Sequence, residues 1–446
     1  MSAYAAATGT LTFPTSTGVG AQGLTVLQRL ALGLVWLSVA CGAIVFSEPA
    51  PVDVLTMGLI IGLPILGLVA VPSALWLVFG AWAVCGAGAL IGSAFAPDLG
   101  RSVTHSAISL YLYAGFFVFA GFVAKRPFQH TKLILDAWLW AACLGAAAGV
   151  IGYFNLFPGA FELFTRYGRA TGTFKDPNVF GPFLVPALLY ALHKVLNEPL
   201  KRTIVPGILV LFLSFALLLS FSRGAWLNAA IALAVYIYGS LVFARSNRQR
   251  VKLVVLGALA LAAGGVVLAA AAQTEAIGDL LSDRAALTQS YDVGPQGRFG
   301  GQAKAKGLIL DHPLGLGAQT FAPYYHHEEP HNVYLTMFLN AGWIGGLLFA
   351  ANVWLTALFG LRHAMMRTAT QPLFLIAFGA FLGNAFEGFV IDLDHWRHFY
   401  LEMAIVWGLM LADRVEISTG GEGAVRAIAS RARRLVGVAG ARPAFG

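Results

Sequence analysis

What constrains this chain most is the recurrence of apolar runs, each about 20 residues long, over most of its length. Backbone N–H and C=O groups inside hydrocarbon have no partners but one another, so a run of that length crosses a bilayer as a helix. The runs do not alternate as the strands of a membrane barrel do. Composition agrees: of 446 residues, 58% are hydrophobic and 11% charged, with mean hydropathy +0.73, whereas soluble domains are about 25% charged. The expected fold class is all-α, a polytopic integral membrane protein.

Twelve spans are expected, over 25–46, 52–70, 73–96, 104–124, 132–157, 178–196, 203–221, 224–244, 251–272, 332–360, 372–390 and 398–414. The tenth is longer than a bilayer requires, so it tilts or projects. The spans divide the chain into a flexible, uncharged tail at 1–24, spans one to nine over 25–272, a mostly helical outer loop domain at 273–331, spans ten to twelve over 332–414, and a basic tail at 415–446. The basic tail has the composition of a helix lying on anionic lipid. Cys41, Cys85 and Cys143 fall inside apolar runs, spaced for neither zinc nor a disulfide framework.

Basic residues orient the spans. With the N-terminus inside, 19 of the 29 Lys and Arg fall in the cytoplasmic loops, the C-terminal tail and the start of span one. The +8 net charge therefore reflects sidedness, and the expected partner is the lipid bilayer, not nucleic acid. The remaining ten cations lie outside, bunched in the 159–177 loop, at the turn after span seven and in the 273–331 loop. Cations held against the topological preference point to an anionic ligand on that face; charge on any exported segment is the plainer explanation.

Four stretches could carry chemistry. Arg166-Tyr-Gly-Arg169 leads into Gly172, Lys175 and Asp176-Pro-Asn178, a constrained loop whose cations suit a phosphate, or simply face water. Ser220-Phe-Ser222-Arg223-Gly-Ala-Trp226 joins two spans with almost no loop, leaving Arg223 at the membrane boundary, where an arginine must be paired, bind a ligand or snorkel. Its planar fork donates two hydrogen bonds to a phosphate. Gly297-Arg298 opens a helical segment followed by His312-Pro-Leu-Gly-Leu-Gly317, whose glycines would let backbone amides approach a ligand. Pro330-His331-Asn332 places His331 at the start of span ten with Asn332 as its cap, where the helix field disfavours imidazolium and leaves a neutral base. His326-His327-Glu328-Glu329 beside it lacks the i, i+4 spacing of a helical zinc motif, so no metal and no cofactor is expected. Asp136, Glu387 and the 392–398 turn with Asp394 are ionisable groups in or near the membrane and carry a default functional suspicion.

Arg-x-x-Gly-Thr-Phe-x-x-Pro-Asn, then Ser-Arg-Gly-Ala-Trp, then Gly-Arg, His-Pro-Leu-Gly-Leu-Gly and Pro-His-Asn, in that order, resemble the O-antigen ligase/polymerase family of membrane glycosyltransferases. The resemblance implies a GT-C-like bacterial inner-membrane enzyme with cytoplasmic termini. It would transfer a glycan from a polyprenyl (undecaprenyl) pyrophosphate donor to a glycan, lipid or protein hydroxyl at the periplasmic face, inverting and without metal. It implies that Arg223 and Arg298 bind pyrophosphate and that His331 is the catalytic base. Arg169 fits the first motif, and with it Arg166, Lys175, Asn178, Ser222 and Asn332 form the expected substrate-binding set. The compact outer loop favours a polymerase over a ligase. The rival class is a transporter or flippase of an anionic or lipid-linked substrate, which would place its charges at mid-membrane between two repeats; neither sign is visible here.

Overall fold

The computed structural model describes residues 24–244, 246–247, 249–255, 257 and 294–413. Most of the expected ninth span, Arg284, the first part of the 273–331 loop and both tails lie outside the described residues. Within them the chain is almost entirely helical: α1 Val26–Ala40, α2 Pro51–Ile65, α3 Ser73–Ser93, α4 Leu99–Lys125, α5 Pro127–Tyr153, α6 Pro177–Asn197, α7 Ile204–Leu219, α8 Arg223–Val242, α9 Arg298–Asp311, α10 Val333–Ala364, α11 Gln371–Glu387 and α12 over 397–413. Among the described residues, seven helices are long and apolar enough to cross a membrane, and α2 and α7 are shorter apolar helices. Each expected span within the described residues falls on a helix.

Local chemistry sets the starts of these helices. Thr25 and Gln28 form a capping box, and Asp98, Asp176, Ser222 and Asn332 each accept a backbone N–H of the following turn. Pro177 follows its cap at the first helical position, where its missing N–H costs nothing. The α8–α11 pair is drawn together by small residues: a side chain at Gly379 would stand 2.9 Å from Ala232 O, and Gly224 and Gly383 abut Glu387 and Asn228.

Polar contacts mark two ends of the bundle. At one, Asp136 of α5 pairs with Lys132 at 2.6 Å and with Lys194 from the end of α6 at 3.2 Å, and His363 of α10 meets Asp413 of α12 at 3.0 Å. At the other lie the starts of α6, α8 and α10, the end of α11, and Arg397, which grips Asp53 of α2 with Nε at 2.6 Å and Nη2 at 2.7 Å. Of the cations expected outside, Arg169, Arg223 and Arg397 lie at this second end.

The long tenth span is broken, not merely tilted. Gly342 interrupts α10 at φ 69°, and the Pro313–Gly317 turn packs into the break: Trp343 N–H donates to Pro313 O at 2.9 Å and Leu316 N–H to Leu339 O at 2.7 Å. The Gly-Leu-Gly turn thus spends its amide on protein, which departs from its expected role of approaching a ligand. A side chain at Gly342 would also meet Pro313 O and Leu314. Gly342→Ala is expected to destabilise the protein by about 1–3 kcal/mol through backbone strain, measured as a lower melting temperature in detergent.

Candidate active site

The first cationic loop is a small hairpin. Thr165–Arg166 pairs antiparallel with Arg169–Ala170, and Tyr167 (φ 55°) and Gly168 (φ 67°) make the two-residue turn with left-handed backbone that such hairpins favour. The register divides its arginines. Arg166 is exposed, lies over Tyr167 and donates to Lys175 O at 3.0 Å. Arg169 turns inward, donating from Nε to Ser220 O and from Nη2 to Asn178 Oδ1, both at 2.8 Å. Ser222 Oγ donates to the same Asn178 oxygen at 2.9 Å while capping α8. Three residues expected to bind substrate, Arg169, Asn178 and Ser222, therefore form a clamp on the turn that presents Arg223. Lys175 pairs with Glu48 at 3.3 Å. It lines a cavity of about 280 Å³ together with Phe116, Trp138, Phe183, His395 and Arg397.

Arg223 is the first residue of α8 and half-buried. Phe221, two residues before it, is a buried aromatic held at φ 44°, a conformation costing about 1–3 kcal/mol that persists only where packing enforces it. Arg169→Ala would leave Ser220 O unpaired at this strained turn. The expected cost is about 1–3 kcal/mol of stability, seen as a lower melting temperature.

The neighbour of this turn is the end of α11. Glu387 lies against Gly224 and accepts from Asn228 Nδ2 at 3.3 Å; Asn228 also donates to Asn384 at 2.7 Å, and Asn384 to Glu402 at 2.7 Å. All four side chains are buried, a polar ladder through α8, α11 and α12 beneath the Arg223 turn.

The same end of α11 carries the His331 turn. Val333 N–H donates to Gly388 O at 2.9 Å, Tyr334 OH to Ala385 O at 2.6 Å, and Asn332 caps α10. His331 is held at φ 48° and half-buried. Its backbone N–H donates to Asp392 Oδ2 at 3.1 Å, its Nδ1 stands 4.0 Å from the same oxygen, and its Nε2 lies 3.3 Å from Glu328. Thr336 Oγ1 fixes the other oxygen of Asp392 at 2.5 Å. Asp392 is thus an orienting carboxylate behind the histidine. It lies 61 residues from His331 in sequence, and its only signal there was an acidic residue at the turn between the last two spans.

α9 lies across this turn. Gln302 Nε2 donates to His331 O and Phe389 O, each at 3.5 Å, and Gly301 faces the ring of His326. Arg298 precedes Gln302 by four residues, so both share one face of α9. The turns bearing Arg223 and His331 thus close on the Glu387–Gly388 segment, with the Arg298 face of α9 against the His331 turn.

Electrostatics at this end separates the carboxyls. Burial, with the charge of Asp392 adding to it, pushes Glu329 up to about 7. Burial and the neighbouring Asp394 hold Asp392 above the usual carboxylate range. Burial also acts to raise Asp394, but its hydrogen bond to His105 and the nearby imidazoles outweigh it and hold that carboxyl low.

No curated protein matches the chain. The sequence model of the O-antigen ligase family matches residues 208–350, a stretch that holds Arg223, Arg298 and His331. Over those residues the chain is similar to the O-antigen ligase family, and the helices that carry them include ones long and apolar enough to cross a membrane.

Proposed function

We propose that the protein transfers a glycan from a polyprenyl-pyrophosphate donor to an acceptor hydroxyl at the periplasmic face of the bacterial inner membrane. The observation that carries this reading is the meeting of the Arg223 and His331 turns on one end of α11. A lipid-linked pyrophosphate has its charge at the membrane boundary and its tail in hydrocarbon, so a cationic turn at the end of a span suits its head.

In the proposed step the acceptor oxygen attacks the anomeric carbon, its proton passes to His331, and the bond to the pyrophosphate oxygen breaks. The leaving group keeps the electron pair. Arg223 and Arg298 stabilise the charge that grows there, and Asp392 stabilises the imidazolium. Attack opposite the leaving group inverts the anomeric centre. Glu328, more than half exposed, occupies Nε2 of His331; an exposed ion pair is worth about 0–1 kcal/mol, so an acceptor hydroxyl displaces it at little cost. The compact outer segment favours a growing glycan as acceptor, which makes the protein a polymerase.

Cells carrying Arg298→Ala are expected to lose long glycan while the variant inserts at the normal level, read from extracted polysaccharide and a membrane immunoblot. Long glycan of unchanged length and amount would exclude Arg298 from the site.

A further inference from the structure

A cluster beside the proposed active site takes no part in that reaction. His105, nearly two turns inside α4, and Asp394 and His395, in the turn before α12, bring two ring nitrogens and a carboxylate oxygen within 4.8 Å of one another. His105 Nε2 stands 3.1 Å from Asp394 Oδ2. The rings of His105 and His395 stack at 3.7 Å with 21° between their planes.

An Asp–His ion pair would account for His105 and Asp394 alone. It would not call for a second imidazole nitrogen beside the same carboxylate; the lone pairs lie in the ring planes, so binding one ion requires the two rings to rotate out of their stack. Metal-bound histidines characteristically have their other ring nitrogen, and the ligating carboxylate its surroundings, fixed by outer hydrogen bonds. Here Gln319 meets His105 Nδ1 at 3.4 Å, and Ser109 Oγ lies 3.0 Å from His395 Nε2. Tyr400 OH donates to the backbone carbonyl of Asp394 at 2.8 Å, which holds the main chain of that residue and not its carboxylate. Gln319 is itself held at φ 60°.

We propose that His105, Asp394 and His395 form a three-ligand site for a divalent transition metal of the zinc class. Two imidazoles and one carboxylate are a borderline donor set, and a water completes the tetrahedron. Ligand atoms on a zinc with bonds of about 2.1 Å stand roughly 3.5 Å apart, so side-chain rotation contracts the cluster on binding. The proton of His105 moves to Nδ1, where the Gln319 amide accepts it after turning its oxygen inward.

The metal joins α4 to the loop that also carries Asp392. It therefore braces the carboxylate that orients His331 without touching the reacting groups. The assignment stands on the donor geometry and is independent of the transfer reaction.

The test is zinc binding by the full-length protein, purified in detergent without a polyhistidine tag and stripped by chelator. Titration with Zn²⁺ alone is expected to saturate at about one equivalent per chain and to raise the melting temperature. His105→Ala and Asp394→Asn are expected to weaken binding by about tenfold or more, and His326→Ala, in the loop before His331, to leave it unchanged. If His105→Ala fails to fold, His395→Gln serves in its place, since it keeps a hydrogen-bonding side chain. No saturable binding by the wild type, or binding undiminished in the cluster variants, overturns the proposal. Either result leaves the glycan-transfer reading where it stood.

Discussion

Arg223→Ala is expected to lower glycan transfer by about 10²–10³-fold, the usual effect of deleting one preorganised group that stabilises developing charge. The loss should come without unfolding, because other residues hold the turn. Ser222 caps α8, Asn178 accepts from Ser222, and Arg169 donates to both Ser220 and Asn178. Arg223→Lys separates charge from geometry. An ammonium keeps the positive charge but loses the planar fork that spans two phosphate oxygens, so it should recover only part of the activity. Transfer by purified variants, measured beside their melting temperatures, decides the point. Equal loss of activity and stability would make Arg223 a structural residue.

His331→Ala is expected to lower transfer by about 10²–10⁴-fold, the range for removing a positioned general base. The left-handed backbone at φ 48° complicates alanine. Asn tolerates that conformation far better, so His331→Asn removes the base with less strain and should show the same loss. Asp392→Asn keeps one oxygen for the His331 N–H and puts an amide NH2 against the Thr336 hydroxyl, which then accepts, but it removes the charge that steadies an imidazolium. Its deficit should be smaller than that of His331→Asn and should not add to it, because the two residues act as one unit. Donor binding should survive in both variants, since the arginines remain.

The helices were legible because hydrocarbon leaves backbone no alternative partner, and every expected span within the described residues falls on one. The cap at Asn332 was legible too, since a cap is decided within a few residues. Register across space was not. Nothing local tells that the hairpin turns Arg169 inward onto Ser220 and leaves Arg166 outside; Tyr167 and Gly168 set that through backbone twist. The glycines of His312–Gly317 looked like a ligand cradle, yet they fill a break in α10 whose other half is Gly342, far along the sequence. Asp392 was visible only as one acidic residue in a turn that held two. Its pairing with His331 depends on α10 and α11 meeting at Gly388, which no periodicity announces. Of the candidate site, residue types were readable and partnerships were not.

The central claim is that the Arg223 and His331 turns act on one lipid-linked pyrophosphate from different elements. The most direct measurement uses purified protein, a polyprenyl-pyrophosphate-linked oligosaccharide and an acceptor glycan, with donor binding and single-turnover transfer followed separately. Arg223→Ala is predicted to lose both donor affinity and transfer, and His331→Asn to bind donor normally and transfer almost nothing. Normal transfer by either variant, or normal donor binding by Arg223→Ala, would contradict the account.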